Sequence, residues 1–177
     1  VDGTPTVRDV YLTPFPGEVD SWRTYLVGAA RSGGRGIFVL DVTDPSVLAG
    51  AATAARVAAA ETFNSPVKFE FTSADDADLG FVYGRPPIAK MNNGKWVAIV
   101  PNGYNSSGDG AAKLFIIDLE NGQVITKIDT GVGSRAAGKL CTDSDSNCNG
   151  LSSPTIADLD GDFIVDRIYA GDLHGNM

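Results

Sequence analysis

The run Asp158-Leu159-Asp160-Gly161-Asp162-Phe163-Ile164-Val165-Asp166 places carboxylates at positions 1, 3, 5 and 9 of a nine-residue stretch. A chain curling around a hard cation needs this spacing. Alternate side chains turn inward, and the backbone carbonyl at position 7, here Ile164, adds another oxygen. Calcium accepts about six to eight oxygens at roughly 2.3–2.6 Å, and the EF-hand loop presents its ligands in the same order. Without a cation, carboxylates packed this closely repel one another and stay hydrated or partly protonated. The spacing therefore points to a Ca2+ site built from Asp158, Asp160, Asp162, the Ile164 carbonyl and Asp166. The alternative is a solvated acidic turn whose carboxylates cap nearby amides. Two positions depart from an EF-hand: Phe163 stands at position 6, where glycine is usual, and Tyr169 at position 12, where a bidentate Glu would close the site. Asp166 must close this loop instead. The flanking segments 153–157 and 167–171 read as short strands, so the expectation is a calcium loop between strands.

Other reactive residue types give weaker signals. Cys141 and Cys148 bracket Thr-Asp-Ser-Asp-Ser-Asn; a bond between them would close a small polar loop of a kind that persists in oxidising compartments, and two reduced thiols are the alternative. One His and two Cys are too few for a Cys/His zinc site. Asp143, Asp145 and Asn147 alternate inside the Cys ring, but the ring is tight and the run reads as solvated rather than as a second cation site. His174 lies in the turn-like Leu173-His174-Gly175-Asn176, and no Gly-x-Ser-x-Gly elbow supplies a nucleophile, so no enzyme is expected. Asp41 and Asp118 read as turn-stabilising residues. Arg31, Arg35 and Arg85 read as turn and rim charges, since no basic cluster surrounds them in the chain. A net charge of −8 argues against nucleic acid, which demands a basic face. No apolar run reaches the roughly 18 residues of a membrane-spanning helix.

The elements that must hold these residues are strands. The 177 residues are 43% hydrophobic and 20% charged, which suits one globular domain with a real core. Its 21 Gly and 9 Pro are spread along the chain and suit many turns. Strand-like runs cover 4–12, 22–29, 37–42, 67–71, 85–91, 96–101, 113–118 and 124–129, with hairpin signals at Gly33-Gly34, Asn93-Gly94 and Asn121-Gly122. The alanine-rich stretch 46–62 reads as an insertion, a short helix or a collapsed surface segment. Thr4-Pro5-Thr6-Val7, Arg85-Pro86-Pro87-Ile88 and Ser153-Pro154-Thr155-Ile156 open three similar units, about 1–84, 85–152 and an incomplete 153–177. Repeated units of four antiparallel strands are the mark of propeller blades, so the expected fold is all-β, part of a β-propeller with loop and short helical insertions. One blade cannot bury both faces alone, and two and a part cannot close a ring. The natural protein is therefore expected to be longer, with the rest of the propeller outside this chain.

Several motifs in order resemble the C-terminal propeller of the PilY1/PilC family of type IV pilus tip-associated adhesins and biogenesis factors. They are Val1-Asp2-Gly3-Thr4-Pro5, Trp22-Arg23-Thr24-Tyr25, Gly36-Ile37-Phe38-Val39-Leu40-Asp41-Val42-Thr43-Asp44-Pro45, Asp78-Leu79-Gly80-Phe81-Val82-Tyr83-Gly84, Asn102-Gly103-Tyr104, Asn149-Gly150-Leu151 and the closing run from Asp158 to Asp172. The likeness covers nearly the whole chain outside 46–62 and 139–148. It implies a modified seven-bladed, quinoprotein-like propeller at the bacterial cell surface, on the pilus tip or outer membrane. It implies a calcium site linked to pilus extension, retraction and surface or host-cell attachment, with minor pilins and host or abiotic surfaces as partners. Carried over by position, the ligands are again Asp158, Asp160, Asp162, the Ile164 carbonyl and Asp166. Two other readings compete. Ile117-Asp118-Leu119-Glu120-Asn121-Gly122 is similar to the blade repeat of quinoprotein dehydrogenases, but Thr126 or Lys127 stands where that repeat has a docking Trp. The second is a secreted binding module in which calcium is only a structural staple.

Overall fold

A computed structural model describes residues 3–14, 17–44 and 66–177. The alanine-rich stretch 46–62 lies outside the described residues. The first sheet takes β1 (Thr6–Leu12), β2 (Ser21–Ala29), β3 (Gly36–Asp41) and β4 (Val67–Thr72) in chain order. The second takes β5 (Ile88–Lys90), β6 (Trp96–Pro101), β7 (Lys113–Asp118) and β8 (Val124–Asp129), again in chain order. A two-stranded ladder of β9 (Thr155–Ala157) and β10 (Arg167–Tyr169) follows. Every pairing between these strands is antiparallel. The one helical piece described is a single 3-10 turn at Arg31–Gly33, in the β2–β3 connection. β5 and β9 are shorter than the sequence suggests, because Pro86, Pro87 and Pro154 hold the preceding residues outside the ladder.

The two large sheets repeat one another in detail. Tyr25 pairs with Asp41 as Val97 pairs with Asp118. The register shifts at Val39/Leu40 in one sheet and at Ile116/Ile117 in the other, two residues before the aspartate in each case. Asp41 accepts the Thr43 amide and an Arg23 ion pair at 2.6 Å. Asp118 accepts the Glu120 amide and pairs with Lys95. Each of these aspartates thus closes the turn after the third strand and tethers a base just ahead of its partner on the second.

The second sheet is covered on both faces. Along β6, Trp96, Ala98 and Val100 point into a core shared with Val10, Tyr25, Val27, Ile37 and Val39 of the first sheet. Val97 and Ile99 point the other way, into a core with Leu114, Ile116, Leu151 and Val165. Successive side chains of a strand face opposite sides, so one central strand serves two stacked neighbours. β8 is exposed along its whole length and forms the outer edge. The far face of the first sheet leaves Val7, Tyr11 and Trp22 exposed, with Tyr11 and Trp22 ring centroids 5.4 Å apart.

Candidate metal centre

β9 and β10 pair through Ile156 and Ile168, and residues 158–166 form the loop between them. The Asp166 amide donates to the Ala157 carbonyl at 3.0 Å, which closes the loop at its base. The Val165 amide donates to the Lys90 carbonyl at 3.0 Å, and Ile164 makes a parallel bridge with Lys90. Val165 is buried in the second core. The loop is therefore held between its own hairpin and the first strand of the preceding sheet.

Inside the loop the carboxylates shape the backbone. Asp158 accepts the Gly161 amide at 2.7 Å and the Phe163 amide at 2.8 Å. Asp162 accepts the Ile164 amide at 2.8 Å, and Asp166 accepts the Leu159 amide at 2.7 Å. Gly161 and Phe163 both take left-handed conformations, with φ of 82° and 68°. Glycine accepts this at little cost, whereas Phe163 does not.

Carboxylate oxygens of Asp158, Asp160 and Asp166 lie within 4.8 Å of one another, and all three residues are exposed. Asp162 is not part of that group, and like the other three carboxylates it accepts a loop amide, that of Ile164. The electrostatics inside the loop are divided. The Gly161 amide, with those of Phe163, Asp162 and Asp160, holds the Asp158 carboxyl below the usual range. Asp160 receives the Asp162 amide, which acts to lower its pKa, yet the charges of Asp162, Asp166 and Asp158 push it above the usual carboxylate value. Hard oxygen donors with unbalanced negative charge fit a divalent cation such as calcium, and not a soft metal.

The remaining sequence expectations fall elsewhere. Cys141 and Cys148 are joined as a disulfide with Cα atoms 5.4 Å apart. The ring they close does not gather its acids. Asp143 accepts the Leu140 amide at 2.8 Å, and Asp145 pairs with Lys139 at 3.6 Å. His174 is exposed, its amide donating to Asp172 in a turn. Asp172 is held at about 2 by hydrogen bonds from the Asn176 and Asn149 side chains and nearby amides.

Two buried asparagines carry more of the architecture than their sequence context announced. Asn149 donates to the Val132 carbonyl and Asp172, and accepts the amides of Gly150 and Leu173. Asn102 donates to the Ala111 carbonyl and accepts the Leu151 amide. Their signal was the Asn-Gly pair itself, which marks a turn but not burial.

Residues 1–177 match the family described as the PilY1 beta-propeller domain. The chain is 42% identical over 178 residues to a type IV pilus biogenesis factor PilY1 homolog of Xylella fastidiosa, covering all of this chain and 10% of that protein. It is 38% identical over 181 residues to type IV pilus biogenesis factor PilY1 of Pseudomonas aeruginosa, covering 12% of that protein. The crystal structure of the Pseudomonas aeruginosa PilY1 C-terminal domain superimposes with a TM-score of 0.71 at 37% identity, over 99% of this chain and 29% of that chain. The chain thus spans about a tenth of the length of these curated relatives.

Proposed function

The chain belongs to the PilY1 β-propeller family, and from that membership we propose that it is a calcium-binding propeller segment of a type IV pilus biogenesis factor that acts at the cell surface in pilus extension, retraction and attachment. The observation that carries the calcium reading is the convergence of Asp158, Asp160 and Asp166 in a loop docked on the neighbouring sheet. Bound calcium would join these carboxylates, draw in Asp162 and the Ile164 carbonyl, and offset the repulsion at Asp160. The protein's own contribution is to hold the loop. The Asp158 carboxylate orders two amides, the Asp166 amide closes the base, and Val165 anchors the far side in the core.

On this reading the ion changes the stiffness of a connection between two stacked sheets, and its partners are pilus-tip proteins or a surface. The exposed Val7, Tyr11 and Trp22 face is where a further blade of the longer protein stacks. The named relatives are type IV pilus biogenesis factors, which favours a binding role over catalysis.

The test is Asp158→Ala in the full chain, with calcium titration calorimetry and pilus assembly read in parallel. Loss of calcium binding together with altered pilus extension or retraction supports the reading. Unchanged calcium binding sinks the ligand assignment. Calcium loss with unchanged pili leaves the ion as a structural staple.

A further inference from the structure

Residues 139–148 lie as a strap on the connection between β6 and β7, closed by the Cys141–Cys148 disulfide. Cys141 Sγ is 3.3 Å from the Ser106 carbonyl. Gly110 makes room for the other sulfur, since a Cβ there would stand 2.7 Å from Cys148 Sγ. Ser134 and Asn147 exchange amide-to-carbonyl bonds at 2.9 Å, which tie the strap to the segment before it. Arg135 joins strap and connection. Its amide donates to the Asp109 carbonyl at 2.6 Å, its Nε to the Gly108 carbonyl at 2.5 Å and a terminal nitrogen to the Lys139 carbonyl at 2.8 Å.

The strap has no apolar anchor of its own. Residues 142–147, between the cysteines, are all polar and are exposed or half-buried. Leu140, the apolar side chain beside the ring, is 65% exposed. A segment that buries no apolar surface cannot offset the entropy of its own ordering, so the covalent bond carries that task. The closed strap also carries a cost. Ser106, whose carbonyl the disulfide touches, is buried, and its hydroxyl has no hydrogen-bond partner among the described residues. A buried polar group left unpaired favours a conformation that returns it to water. Both cysteines are half-buried rather than enclosed, and exchange with a thiol requires access to sulfur.

We propose that 139–148 is a redox-released strap: it stays ordered on the β6–β7 connection while Cys141 and Cys148 are bonded, and it lets go when a dithiol reduces them. One thiolate of the dithiol attacks a cysteine sulfur, the S–S bond breaks and a mixed disulfide forms. The second thiolate displaces that bond. Two electrons pass to the cysteine pair, the dithiol leaves as a disulfide, and its two protons end on the cysteine thiols. Release parts Arg135 from Lys139 and loosens its hold on Gly108 and Asp109, while the strands keep their own ladders. The proposal stands apart from the calcium reading.

The experiment compares the oxidised full chain with the chain treated with dithiothreitol, calcium being chelated in both. Reduction without denaturant is expected, scored by mass as alkylation of both cysteines. In the reduced protein the Ser134, Arg135 and Asn147 amides should exchange roughly tenfold faster or more, with β6 and β7 amides unchanged. Trypsin should cut after Lys139 faster by a similar factor. Reoxidation with oxidised glutathione should restore protection. Cys141→Ser combined with Cys148→Ser should show the released pattern without reductant; if that variant does not fold, the dithiothreitol comparison on the native chain decides. A bond that resists dithiothreitol until the protein unfolds overturns the proposal. So does unchanged exchange at the three amides after reduction, faster exchange spread equally over β6 and β7, or protection that glutathione does not restore.

Discussion

The Val165 amide donates to the carbonyl of Lys90 at 3.0 Å, so the acidic loop of one unit is hydrogen-bonded to the first strand of the unit before it. Val165 is also 7% exposed and packed in the second core. On the proposed calcium reading, a cation held by Asp158, Asp160 and Asp166 would act on a loop whose other end is fixed, so stiffening the loop would stiffen the joint. Calcium chelation is expected to raise the exchange rate of the Val165 and Asp166 amides by tenfold or more while leaving β6 and β7 amides unchanged. Hydrogen exchange resolved by residue checks this. Equal protection with and without calcium would separate the ion from the joint.

Phe163 gives a sharper handle on the loop. Its φ of 68° places a bulky residue in the left-handed region, and its side chain is 76% exposed, so it gains little packing in return. Left-handed backbone costs an L-residue roughly 1–2 kcal/mol, part of which glycine gives back as entropy. Phe163→Gly is expected to stabilise the ordered loop by about 0.5–1 kcal/mol, read as a two- to fivefold gain in calcium affinity by calorimetry. A weaker site after this change would mean that Phe163 supports the loop in a way its exposure does not suggest.

How much of this could be read from the chain follows from which signals are local. Asn93-Gly94 and Asn121-Gly122 announce hairpins because Gly94 and Gly122 take φ of 81° and 73°, and the strands on either side followed directly. The alternating aspartates announced the loop for the same reason. What stayed hidden was long-range. Trp96-Val97-Ala98-Ile99-Val100 is apolar at every position, so no alternation shows that odd and even residues serve different cores.

Asn149 carries a clear stability prediction. It is 3% exposed and satisfies both ends of its amide with four partners, joining the segment after β8 to the turn after β10. Asn149→Ala leaves the Gly150 and Leu173 amides without their acceptor. Unsatisfied buried groups cost about 1–3 kcal/mol each, and part of this is recovered by water. A loss of about 2–4 kcal/mol is expected in denaturant unfolding, with Asn149→Asp milder because it keeps the acceptor but faces Asp172. A loss below about 1 kcal/mol would show that the two turns hold each other without it.

The last prediction concerns pH and rests on the ion network around Lys113. Its ammonium is buried and pairs with Asp78 at 2.8 Å, with Asp109, and with Asp129 at 3.4 Å, while Lys127 reaches Asp76 at 2.8 Å and Asp78 at 2.9 Å. Burial acts to lower the Lys113 pKa, but hydrogen bonds to Asp109 and Asp78 outweigh it and raise the value above that of an ordinary lysine. Burial acts to raise Asp78, yet the bonds from Lys113 and Lys127 hold it below the usual range, and the Lys113 bond does the same for Asp109. For the depressed carboxylates, the stabilisation is present above the unfolded value of about 3.9 and is lost as pH falls through their lowered values. For Lys113 it is complete below about 10.4 and is lost as pH rises through its raised value. The melting temperature, measured in chelator to set the calcium loop aside, is expected to be level between about pH 5 and 9 and to fall on both sides. Asp78→Asn removes the carboxylate that both lysines share. It should cost about 2–4 kcal/mol at pH 7, near the lower end for breaking a buried pair because Asp109 and Asp129 still face Lys113. It should also make the acid limb shallower than in the parent, and an acid limb of unchanged slope would place the acid-sensitive groups elsewhere in the fold.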